Sequence, residues 1–147
     1  MRLQMALFSG MAALCVLPLS AVEDVDVSKL PPAASKDVDF AKDIKPMLER
    51  SCVGCHGPTK QKSKYRMDTR AAAIKGGSND EPGFVEGKGE KSPMVLYSAD
   101  LVADMEMPPL DNRDKYPALS KDEVGLLRKW IDSGAKWPEG VSLEVKP

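Results

Sequence analysis

The sequence predicts a small all-α domain, and three stretches carry that prediction. The best marked is 119–134. Ser120 and Glu123 form an S-x-x-E capping box, and Leu119 with Val124 forms the hydrophobic staple around it. Val124, Leu127 and Ile131 share one face, with Leu126 and Trp130 four apart beside it, so an amphipathic helix runs to Gly134. A second stretch has Asp68 as an N-cap, then Thr69 to Lys75 (TRAAAIK) as an Ala-rich helix, then Gly76-Gly77 as its stop. The third is a short helix that carries Ile44, Met47 and Leu48 on one face and runs into Cys52.

In chain order, Met1-Arg2 opens a segment that is apolar from Met5 through Leu19, broken by Ser9 and Gly10, and ends in the small residues Ser20-Ala21. It is short for a membrane span and has the parts of a secretory signal, so residues 1–21 are expected to be a signal peptide cleaved near Ala21. Retained, the same segment would be an anchor. Leu14 is too bulky to precede a lipidated Cys15. Residues 22–37 are acidic, then Pro- and Ala-rich, and read as a flexible linker. The domain is expected over 38–138. Asp43 is the expected cap of its first helix, with Pro46 in the first turn, where a missing N–H is no loss; a start at Asp39 would require a kink at Pro46. Phe40 at the helix entry reads as core.

Past the first helix, Lys60, Lys62, Lys64 and Arg66 form a basic run, either a solvated loop or a cationic rim. Ser92-Pro93 opens a short helix through Tyr97. Met105-Glu106-Met107-Pro108-Pro109 ends any helix and stiffens the backbone around two thioethers. Trp130 and Trp137 read as core, their N–H groups needing partners if buried. Residues 139–147 read as a tail with little to pack.

The chemistry is concentrated in Cys52-Val53-Gly54-Cys55-His56. In an exported chain, two thiols at this spacing followed by an imidazole are what covalent haem attachment needs: each sulfur adds to a vinyl group and the imidazole ligates the iron. A disulfide-closed turn, a dithiol redox pair and a zinc site are the competing uses of C-x-x-C. Zinc is disfavoured, since two Cys and one His leave a closed site one ligand short. Loss of residues 1–21 leaves Cys52 and Cys55 as the only cysteines. His56 is the one histidine in the chain, so a second imidazole cannot come from it. The distal iron ligand is then a Met, a Lys, a Tyr or solvent; Met107 is favoured over Met105, and core filling is the bland use of either.

These residues resemble the class I cytochrome c fold and, more narrowly, the planctomycete-type cytochrome c domain. The resemblance rests on Val38-Asp39-Phe40, Asp43 to Pro46, Cys52 to Pro58, Met67 to Arg70, Lys75 to Gly77, Met107 to Pro109 and Leu126 to Trp137. It implies thioether bonds from Cys52 and Cys55, a proximal bond from His56, a distal bond from Met107, and the first and last helices packed crosswise beside one haem c. Tyr65 departs from the resemblance, standing where an aliphatic residue is expected.

Composition narrows the function. The formal net charge is −1, and removal of 1–21 takes away Arg2 but no acid, so nucleic acid is an improbable partner. With few aromatic residues the core is marginal, and haem supplies apolar bulk. The expected function is a periplasmic one-electron carrier serving redox protein partners, not an enzyme, with membrane association only if the N-terminal segment is retained. A haem-based sensor with a labile or absent distal Met is the alternative.

Overall fold

The computed structural model describes residues 25–145, and the expected signal segment 1–21 lies outside them. Four α-helices, α1 (Lys45–Ser51), α2 (Arg70–Lys75), α3 (Pro93–Ser98) and α4 (Lys121–Asp132), are joined by loops with short 3-10 turns. Among the described residues there is no strand, only an isolated bridge between His56 and Gln61.

The entry to α1 differs from the expected start at Asp43. Asp39 is the cap: its carboxylate accepts from the Lys42 amide at 2.8 Å, and its own amide donates to the Asp43 carboxylate at 2.9 Å. A π-turn over Phe40–Ile44 follows, with the Lys45 amide donating to the Phe40 carbonyl. This wider turn leads into α1 with Pro46 in the first turn, where no amide is needed. At α2 the cap is Thr69 rather than Asp68, whose carboxylate is taken by the Arg66 guanidinium at 2.8 and 2.9 Å. Gly76 stops α2 at φ +81°, a conformation open to glycine. α4 has the expected capping box, and Leu119 and Val124 of the staple are both buried.

The core joins Ile44, Met47 and Leu48 of the first helical segment to Val95 and Leu96 of α3 and to Val124, Leu127, Trp130 and Ile131 of α4. Phe40 stacks obliquely on Trp130 and Trp137 at 5.8 and 4.4 Å, so it is core, as its position suggests. The tryptophan N–H groups donate to the carbonyls of Lys136 and Val141 at 2.8 and 2.7 Å.

Both flanking segments differ from expectation. The part of the 22–37 stretch within the described residues is no free linker: Leu30 is buried, the Ala34 amide donates to the Gly125 carbonyl at 3.0 Å, and Arg128 donates to the Pro31 carbonyl at 3.2 Å. A Cβ on Gly125 would lie 2.6 Å from the Pro32 carbonyl oxygen, so this glycine lets the strap rest on α4. The tail packs too. Leu143 is buried and its amide donates to the Asp68 carbonyl at 2.8 Å, while the Glu144 amide donates to the buried Glu49 carboxylate at 3.0 Å. Lys45 pairs with the same carboxylate.

Candidate haem site

α1 delivers the cysteines. At its end the Cys52 carbonyl accepts from the amides of Cys55 and His56 at 3.0 and 3.1 Å, folding 52–56 into a tight turn. The turn is held against the following segment: the Lys62 amide donates to the Cys55 carbonyl at 3.0 Å and the Met67 amide to the His56 carbonyl at 2.8 Å.

Cys52, Cys55 and His56 line one cavity of about 280 Å³. Its wall also includes Tyr65, Met67, Met94, Tyr97, Met105 and Met107, with Ser63, Asn79, Glu81 and Asp104 among the polar groups. The structure therefore brings every expected site residue to one cavity. Met105 and Met107 share that wall, so lining the cavity does not by itself choose between them.

The Met-Pro loop is anchored from two sides. The Met107 amide donates to the Tyr97 carbonyl at 3.0 Å, tying the loop to α3. Arg113 donates to the Pro108 carbonyl at 3.0 Å and forks onto the Asp100 carboxylate at 2.6 and 3.0 Å. Nothing local in the sequence signals this clamp, whose members stand 13 residues apart.

Electrostatics follow from burial. It pushes the Cys52 thiol up to about 12. Both cysteines are free, so the disulfide-closed turn is not formed. Burial lowers the His56 pKa, against the opposing pull of the Tyr65 and Lys62 backbone, so its ring is neutral at pH 7. Tyr97 donates to Glu81 at 3.2 Å, and burial, then Glu81, push its phenol up to about 12. Burial also raises Tyr65.

These residues fit a haem. The Nδ1 atom of His56 is buried with no hydrogen-bond partner, and the imidazole is neutral, the form that ligates metal. Two free thiols stand on the same largely apolar wall. No group of three His, Cys, Asp or Glu among the described residues is arranged to hold a metal ion, which counts against the zinc reading. Residues 52–111 match the family model for planctomycete cytochrome C.

This stretch is similar to the planctomycete cytochrome C family. The family implies covalently bound haem c, and both cysteines that such a bond needs are present. The match begins at Cys52 and takes in the Met-Pro-Pro loop, whereas α4 lies outside it. No curated protein matches the chain. Hydrazine synthase of Kuenenia stuttgartiensis aligns with a TM-score of 0.42 at 22% identity, covering 72% of this chain and 18% of that one. The chain thus spans less than a fifth of that protein's chain.

Sequence reasoning marked Tyr65 only as a departure and missed Tyr97, Glu81 and Met94 as cavity residues. Each lies outside the motif; only the closure of 76–83 and α3 over the motif brings them to it.

Proposed function

We propose that the cytochrome c domain carries single electrons between exported redox proteins, with one haem held by Cys52 and Cys55 and ligated by His56 and Met107. The observation that carries this reading is the shared cavity: the attachment thiols, the neutral imidazole and the anchored Met-Pro loop all line it. Bound haem supplies the one-electron iron couple, and thioether ligation in place of a second imidazole raises its potential. The chain's own residues hold the group and keep water from it: Met67 and Met94 provide apolar wall, and the Arg113 clamp keeps the thioether loop in place.

The reading assigns no enzymatic step. The hydroxyl–carboxylate pair on the wall, Tyr97 with Glu81, is ill suited to acid–base work because the phenol is too weak an acid. Export is part of the proposal, since covalent haem c domains are typically exported. No helix among the described residues is long and apolar enough to cross a membrane.

Visible spectroscopy of protein matured with haem, in both oxidation states and then under carbon monoxide, tests the function. Sharp low-spin bands, a ferric Met–iron charge-transfer band and no response to carbon monoxide are expected. High-spin bands or ready carbon monoxide binding would replace the carrier with a sensor. Mass spectrometry after denaturation should retain the haem adduct, and its loss would return Cys52 and Cys55 to thiol chemistry.

A further inference from the structure

We propose that Tyr65 is a positioning residue that fixes the plane of the His56 imidazole, an inference that rests on reading His56 as the proximal iron ligand. A ligating imidazole is normally oriented by a hydrogen bond to its second nitrogen. Here the buried Nδ1 of His56 forms no hydrogen bond. A ring contact takes that place. The Tyr65 ring lies 5.1 Å from the imidazole, centroid to centroid, at an interplanar angle of 54°.

The phenol is itself clamped. Its hydroxyl donates to the Ala73 carbonyl at 3.1 Å, at the buried middle of α2, and its amide donates to the Lys62 carbonyl at 3.1 Å. Two glycines make room for it. A Cβ on Gly83 would collide with the phenol oxygen and lie 2.8 Å from its Cζ, while a Cβ on Gly77 would meet the Ser63 carbonyl oxygen at 2.6 Å and Tyr65 Cβ at 3.0 Å. Gly83 is fixed in turn, donating to the Ile74 carbonyl at 3.2 Å and accepting from the Met94 amide at 2.9 Å. The ring therefore cannot swing away, and the imidazole meets a rigid neighbour on the cavity wall. The aromatic residue that departs from the family resemblance is thus the one built around by its neighbours.

The test uses haem-loaded protein with Tyr65→Phe, Tyr65→Leu and Tyr65→Met. The ferric haem-methyl NMR shifts report the orientation of the axial ligand plane, and the midpoint potential is read alongside. Tyr65→Phe, which keeps the ring, should retain the wild-type shift pattern. The two aliphatic variants should change that pattern and shift the potential. A lowered melting temperature with unchanged shifts and potential in the aliphatic variants would reduce Tyr65 to packing and overturn the proposal. Should neither variant hold haem, Gly83→Ala, whose Cβ would press on the phenol oxygen and on the Ala73 carbonyl it bonds, displaces the ring without removing it, and an unchanged shift pattern there would overturn the proposal equally. Wild-type protein lacking low-spin His-ligated haem would instead remove the functional reading beneath it, so the two failures are distinct.

Discussion

At the level of single residues, the two methionines of the Met-Pro loop make the sharpest contrast. Both line the cavity, but only Met107 is followed directly by the paired prolines and has its amide tied to the Tyr97 carbonyl. Met107→Ala should abolish the ferric charge-transfer band, lower the potential and admit carbon monoxide, while Met105→Ala leaves all three as in wild type. The reverse result would move the ligand two residues upstream. Arg113 tests how the loop is held. Its ion pair with Asp100 is half in solvent, so Arg113→Ala should cost only about 0.2–1 kcal/mol of stability. Its larger effect should be kinetic: with the Pro108 carbonyl released, carbon monoxide uptake by the reduced protein should become faster. Equal uptake rates would show that the prolines alone hold the loop. Cys52, Cys55 and His56 were legible because their chemistry lies in their adjacency. Arg113 was not, because a lone arginine in a polar loop announces nothing until its partners meet it.

Helices whose signals are local match their sequences closely. The box of Ser120 and Glu123, the staple and the stop at Gly134 all lie within a few residues of the helix they define. Ser120→Ala should therefore cost about 1 kcal/mol in denaturant unfolding. The caps at Asp43 and Asp68 were misplaced because nearby groups compete for those carboxylates: Lys36 and the Asp39 amide for Asp43, Arg66 for Asp68. The strap and the tail were illegible for another reason. Each is held by one leucine, Leu30 or Leu143, and by backbone bonds to distant residues, so no period or composition marks it. Gly125 ties this to a measurement. A glycine replaced by alanine inside a helix ordinarily gains about 1 kcal/mol. Here the new methyl group would press on the Pro32 carbonyl, so Gly125→Ala should lower the melting temperature and expose the strap to proteolysis. A raised melting temperature would show that the strap contributes nothing.

For the whole molecule, acid and haem bear on stability with different weights. Lys36 and the Asp39 amide hold Asp43 below the usual carboxylate range, and Arg66 does the same for Asp68. At Glu123 burial opposes ionisation, but the Ser120 amide and Arg50 outweigh it. Each folded-state value lies below the unfolded one, so the unfolded chain binds more protons around pH 4. This contribution is whole above about pH 4.5 and is lost as pH falls through the folded values. Asp68 is buried while Asp43 and Glu123 keep some contact with solvent, so their losses should overlap, and an acid titration of the melting temperature should fall smoothly below about pH 4.5. The cavity is the heavier term. At roughly 24 cal/mol per Å³, a dry void of about 280 Å³ would cost at most about 7 kcal/mol, and water entering the open site would lessen that. A domain of this size has about 5–15 kcal/mol in all, so even part of that cost weighs on the haem-free chain. Protein made without haem, or as Cys52→Ala with Cys55→Ala, should show weak helical circular dichroism and no cooperative melt, whereas the haem-bound form melts sharply. A cooperative melt of the haem-free chain within a few degrees of the haem-bound one would mean that the strap, the tail and the tryptophan cluster stabilise the fold without the cofactor.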